Sequence, residues 1–202
     1  GVVAVAAVIG VGAGNDIIVG GADTNDSRDR NNTLPPITGP DTRDGGDRLF
    51  GEDGNDTIDG GAGDDVIDGG SGDDLMRGMA GVDIFRGGDG NDTVDFSMES
   101  PFQLLVNLVT NVASGGTASG DTFFSVENLI GSDDRIDRFV GNDSDNYFLG
   151  LGGGDVLSGG NGDDVLEGAR DGDVLSGDAG DDRLIGGAGA DYLDGGAGAA
   201  DE

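Results

Sequence analysis

A carboxylate recurs at every ninth residue along two stretches of this chain. Asp47, Asp56, Asp65, Asp74, Asp83 and Asp92 form the first series. Asp137, Asp155, Asp164, Asp173, Asp182 and Asp191 form the second, in which Asn146 takes one place. Carboxylates can move protons, attack electrophiles or ligate hard cations. Even spacing favours the last of these. Where a backbone coils so that successive turns stack, a fixed period brings the groups into rows, and rows of like charge repel. A divalent cation with oxygen ligands relieves that repulsion. Calcium accepts about six to eight oxygens from carboxylates and main-chain carbonyls in flexible geometry, while magnesium demands a stricter octahedron and keeps its waters. The 44 Gly residues offer carbonyls without side-chain obstruction. The pattern therefore points to calcium.

The rest of the composition closes other routes. The 202 residues contain no His and no Cys. That excludes a zinc site, a Ser-His-Asp or Cys-His nucleophile, haem, iron–sulfur clusters and disulfides. Arg supplies all 10 basic residues against 41 acidic ones, giving a net charge of −31. Nucleic acid, which needs a basic face, is argued against as a partner, and an anionic membrane surface is disfavoured for the same reason. Membrane insertion is not expected either, because the apolar run at residues 1–9 is too short to span a bilayer. That run lacks a starting Met and a basic flank, so the ends of the chain read as cut points in a longer protein. No GxSxG elbow or GxGxxG phosphate loop is present. The adjacent acids Asp64-Asp65 and Asp163-Asp164 could be taken for a glycosidase pair. They read better as repeat positions five and six, so the chain is expected to be non-catalytic.

The elements that must position the carboxylates follow from the repeat. Residues 51–95 divide into units of nine: GEDGNDTID, GGAGDDVID, GGSGDDLMR, GMAGVDIFR and GGDGNDTVD. Gly stands first and fourth, Asp sixth, and a large apolar residue eighth. Residues 42–50 keep the fourth, sixth and eighth places, and residues 132–194 hold seven further units in register. An isolated unit occupies 11–19. Positions one to six are turn-like and positions seven to nine strand-like, because Gly supplies positive φ and strand residues alternate faces. Position eight is apolar throughout and predicts a core column. A single unit cannot bury its one hydrophobe, so two units make a turn and turns stack into a solenoid. At position nine, Asp59, Arg77 and Asp95, and likewise Asp68 and Arg86, stack with alternating charge.

The expected organisation is all-β: an N-terminal apolar strand and isolated repeat (1–22), a Pro-containing loop (23–41), a first repeat block (42–95), a β-rich connector (96–131) and a second block (132–202). The runs 102–109 and 123–130 read as strands. Asn128 lies 36 residues after Asp92, four units of nine. This phase places Asn128 at position six and predicts that the connector fills whole turns.

The units resemble the RTX, or hemolysin-type, calcium-binding repeat, GGxGxDxUx with U large and apolar, over roughly 130 residues. The resemblance implies a parallel β-roll with calcium between successive turns on each edge. Carried onto this chain, it pairs Asp47 with Asp65, Asp56 with Asp74, Asp65 with Asp83, Asp74 with Asp92, Asp137 with Asp155, Asp155 with Asp173, Asp164 with Asp182, and Asp173 with Asp191. It adds the main-chain carbonyls of Gly51, Gly54, Gly60, Gly63, Gly69, Gly72, Gly78, Gly81, Gly159, Gly162, Gly177 and Gly180. That amounts to about eight ions. Asn146, which lacks the charge, and Asp171, which replaces Gly at position four, depart from the pattern. The resemblance further implies an extracellular or cell-surface location, type I secretion as an unfolded bacterial chain, folding on extracellular calcium, and a structural and secretion role. It also allows covalently linked catalytic or adhesive domains in a parent chain, as in an accessory domain of an extracellular hydrolase or epimerase.

A second function class stands beside this one: a calcium-dependent filament, layer or adhesin that self-associates. Solenoid ends expose strand edges, Val2–Ile9 is uncharged and β-prone, and position seven of the second block carries Tyr147, Val156, Val165, Val174 and Tyr192.

Overall fold

The computed structural model describes Val8–Gly10, Ile17–Val19, residues 46–98 and residues 103–198. The expectations on Val2–Ala7, residues 11–16 of the isolated unit, the loop 23–41 and residues 199–202 lie outside the described residues. One eleven-stranded sheet runs, in spatial order, through β1 (Val8–Gly10), β3 (Arg48–Asp53), β5 (Val66–Ser71), β7 (Ile84–Asp89), β11 (Thr122–Phe124), β10 (Val112–Ser114), β9 (Leu105–Asn107), β13 (Arg138–Val140), β15 (Val156–Asn161), β17 (Val174–Ala179) and β19 (Tyr192–Asp194). An eight-stranded sheet runs through β18 (Arg183–Ala188), β16 (Val165–Arg170), β14 (Tyr147–Leu149), β12 (Asn128–Ile130), β8 (Thr93–Asp95), β6 (Leu75–Arg77), β4 (Thr57–Asp59) and β2 (Ile17–Val19). The chain alternates between the sheets, one strand of each per turn, and pairing is parallel except around β10. This is the expected parallel β-solenoid.

Register explains why nine residues recur. Leu49 pairs with Ile67 and Ile67 with Phe85, each 18 residues on, and Ile58 pairs with Met76 in the other sheet. A one-residue slip would turn every core side chain outward. Position eight therefore forms the interior: Leu49, Ile58, Ile67, Met76, Phe85, Val94, Phe139, Phe148, Leu157, Leu166, Leu175 and Leu184 are all buried. Leu193, on β19, is the exception at 46% exposure. The outer columns also form as the charges dictate. Arg77 Nε donates to Asp95 Oδ2 at 2.8 Å. Asp68 stands in register with Arg86, whose guanidinium lies 5.8 Å from the Phe124 ring centroid.

Two places break the period. Ile9 pairs with Leu49 and Ile18 with Ile58, 40 residues away instead of 18, so the isolated repeat joins the same stack. The connector contributes one turn, β11 and β12, plus an antiparallel insertion. From β8 the chain runs to β9, returns as β10, and reaches β11 beside β7. The first sheet thus gains two strands without counterparts in the second, about 10 Å of extra width. Large aromatic rings pack in the interior on either side of the insertion. Phe85 stacks on Phe123 at 5.4 Å, Phe96 meets Phe123 edge-on at 6.2 Å, and Phe139 meets Phe148 edge-on at 5.6 Å.

The phase expected for Asn128 is corrected by one residue. Asn128 pairs with Thr93 and Leu129 with Val94, so Asn128 occupies position seven and Glu127 position six. The preceding bend is tight: Ser125 sits at φ 49, in the left-handed region.

Candidate metal centre

The position-six carboxylates line the two edges of the solenoid, at the entry to each strand. Apart from Asp191, which is half-buried, they are buried: Asp65 is 1% exposed, and Asp92, Asp137, Asp155 and Asp173 are 0%. Each reaches back one turn. The main-chain N–H of Asp47 donates to Asp65 Oδ1 at 2.7 Å, that of Asp56 to Asp74 at 2.8 Å, and that of Asp65 to Asp83 at 2.8 Å. In the second block Asp137 donates to Asp155, Asn146 to Asp164, Asp155 to Asp173, Asp164 to Asp182 and Asp173 to Asp191 in the same way. The Asp74 N–H donates to Asp92 Oδ1 at 2.9 Å, so all eight Asp pairs implied by the resemblance are neighbours joined through one oxygen.

The second oxygen is different. Among the described residues, Oδ2 of Asp65, Asp74, Asp83, Asp92, Asp155, Asp164 and Asp173 is buried without a hydrogen-bond partner. A buried acceptor left this way costs roughly 1–3 kcal/mol, more when charged. Each faces the Cα of the Gly that opens its unit. A methyl group placed on Gly60 would lie 2.5 Å from Asp65 Oδ2 and 3.2 Å from the carbonyl oxygen of Gly78 one turn on. On Gly69 it would strike Asp74 Oδ2 and lie 2.8 Å from the Gly87 carbonyl. Glycine thus keeps a space open in which a carboxylate oxygen and a carbonyl oxygen converge.

Burial is the largest cause of a strong upward pKa displacement in this row. Asp65, Asp83, Asp92 and Asp164 rise from the ordinary 3.8 to about 7, Asp155 to about 8 and Asp137 to about 6. The N–H donated to Oδ1 opposes the rise, and neighbouring carboxylates add to it for Asp65, Asp92, Asp155 and Asp164.

These residues fit a hard cation. Orphaned anionic oxygens and main-chain carbonyls are the donor set calcium takes. Among the described residues no three acidic side chains gather at one point, so an ion here must draw part of its shell from the backbone. Position-one carbonyls are placed for that. Those of position four lie against the following turn: the carbonyls of Gly54, Gly63 and Gly162 abut Gly72, Gly81 and Gly180.

Two members of the row have hydrogen-bond partners for both side-chain groups. Asp137 Oδ2 accepts the Ser132 N–H at 2.6 Å, and its Oδ1 accepts the Leu104 N–H at 3.3 Å. Asn146 accepts the Asn142 N–H at 3.0 Å and donates to the Glu127 carbonyl at 2.8 Å.

The spacing argument missed a second ladder. Position-five side chains reach forward one turn: the Asp73 N–H donates to Asn55 Oδ1 at 3.0 Å, Val82 N–H to Asp64 Oδ1 at 2.9 Å, and Asp181 N–H to Asp163 Oδ1 at 2.9 Å. Adjacent acids such as Asp64 and Asp65 therefore clamp opposite neighbours instead of facing a common substrate. Asp121 and Glu127 were missed as well. They take position-six places in the connector, accepting the N–H of Asp83 at 2.8 Å and of Asp92 at 3.0 Å. The signal for Asp121 was present: Asp121-Thr-Phe123 repeats the Asp83-Ile-Phe85 pattern.

Asn146 suggests a direct test. Asp155→Asn is expected to weaken calcium binding by about tenfold at one site, through loss of ligand charge. In chelator the same change is expected to raise stability by about 1 kcal/mol, because it removes a buried charge. Calorimetric titration measures the first effect, and the osmolyte concentration needed to fold the chain in chelator measures the second; their opposite signs separate them from simple structural damage.

No curated protein matches the chain. The family model of the RTX calcium-binding nonapeptide repeat (four copies) matches residues 11–26, 41–76, 69–97, 131–166, 140–175 and 167–199. With its repeats in register and its Asp rows on both edges, the chain belongs to the RTX calcium-binding nonapeptide repeat family.

Proposed function

We propose that this chain is a non-catalytic structural module of an extracellular or cell-surface protein, exported unfolded and folded by the calcium it meets outside the cell. The observation that carries this reading is the row of buried Oδ2 atoms without partners. Without a cation the compact state must bury these charges uncompensated, which disfavours it. Bound calcium supplies the positive charge and completes the oxygen shell. Because the open chain lacks a preformed site, binding energy becomes folding energy. Affinities on the order of 10⁻⁴–10⁻³ M suffice for such modules. A thin core with no disulfides has need of this staple.

Circular dichroism tests the reading. The chain in chelator at neutral pH is expected to give a disordered spectrum, with a parallel-sheet signal returning on millimolar calcium. An unchanged sheet signal in chelator, with no calcium found by elemental analysis, would overturn it.

A further inference from the structure

We propose that the connector closes a cation site of its own, formed by the Asp92 carboxylate, the Ser125 carbonyl and the Glu127 carboxylate, for the same hard divalent ion. The inference rests on the calcium reading above and extends it to a segment, 98–130, that the repeat match leaves out.

Three observations meet at this place. Asp92 is 0% exposed and its Oδ2 has no hydrogen-bond partner. That oxygen points at Gly87, where an added methyl group would run into both Asp92 Oδ2 and the carbonyl oxygen of Ser125. This is the arrangement found at Gly60 and Gly69, with Ser125 in the place of the next turn's glycine. Finally, Glu127 Oε2 accepts the Asp92 N–H at 3.0 Å, as Asp74 does for Asp56 at 2.8 Å. The connector thus reproduces, with different residues, the three oxygens that a regular turn sets beside its neighbour.

The other edge does not match. Asp121 takes the ladder place beside Asp83, but the nearest atoms to a methyl group on Gly78 are Asp83 Oδ2 and the rim of the Phe85 ring, with no carbonyl among them. A single extra site on the second-sheet edge follows. The row of carboxylates is interrupted one turn later, where Asn146 carries an amide, and resumes at Asp164.

The test is a calorimetric calcium titration of the full chain and its Glu127→Gln variant, since glutamine keeps an acceptor for the Asp92 N–H and loses only the charge. The variant is expected to bind one ion fewer per chain, or to bind that ion about tenfold more weakly, with an unchanged circular dichroism spectrum in saturating calcium. Asp89→Asn, an exposed acid outside both rows, is expected to titrate like the parent. A parent chain that binds calcium and a Glu127→Gln variant with the same stoichiometry and affinity would overturn the connector site alone. A parent chain that binds no calcium overturns the broader reading with it. Should Glu127→Gln not fold, a calcium-loaded crystal of the parent chain decides: an ion between Asp92 and Ser125 supports the site, and a water there overturns it.

Discussion

In chelator the chain is expected to gain β structure as the pH falls from about 8 to about 5, and to lose it again on return. The cause is the difference between folded and unfolded carboxylates. In the unfolded chain an Asp ionises near 3.8, whereas in the fold Asp65, Asp83, Asp92 and Asp164 ionise near about 7 and Asp155 near about 8. Through this window the folded state holds more protons, so stability falls as pH rises. The penalty is absent below the unfolded value, accumulates from 3.8 to about 7 or 8, and is complete above. Several groups share the window, so their contributions reinforce one another. If calcium takes the same oxygens, as proposed, its addition at about pH 6 is expected to release protons. Dichroism in chelator across this range, with proton release followed in weak buffer, measures both. A chain with most β structure in chelator at about pH 8 would refute the account. General repulsion from the −31 charge is distinguished by salt, which screens surface charge and leaves buried carboxylates little affected.

The repeat made most of this legible in advance. Position eight had to be interior, because one large hydrophobe every ninth residue has no other use, and Leu49 through Val94 are buried accordingly. The rows of Asp neighbours followed from the same period, and the hydrogen bond from Asp47 N–H to Asp65 Oδ1 joins residues 18 apart as it requires. What the period could not supply was chemistry that does not repeat. Ser132 satisfies Asp137 through local chain geometry, and no rule of spacing names it. Glu127 entered the row by a shift of one residue, made at the left-handed bend of Ser125. The run 102–109 announced β9, but β10 and the direction of both strands were unreadable for a related reason. Their alternation looks like that of the solenoid strands, and only packing decides whether a strand runs with its neighbours or against them.

That insertion shows how the stack passes from one repeat block to the next, and Phe123→Ala is expected to expose its role. Phe123 is fully buried, pairs with Phe85 in register, and packs on both Phe85 and Phe96. It packs in the interior beside the inserted strands, on β11, which pairs with β10. Truncating a buried Phe costs about 3–5 kcal/mol, since lost transfer energy and an unfilled cavity add. Parallel strands on either side transmit the loss, because β7 leads back into the first block and β12, next along the chain, pairs with both β8 and β14. Urea unfolding in saturating calcium is expected to show a lower midpoint for Phe123→Ala, with the first and second blocks unfolding as separable steps. A passive linker behaves otherwise: its substitution shifts stability by about 0.5 kcal/mol or less and leaves a single transition. A solenoid gains stability by coupling each turn to the next, so the connector holds the two Asp-lined stacks in one cooperative unit only while its aromatic core is intact.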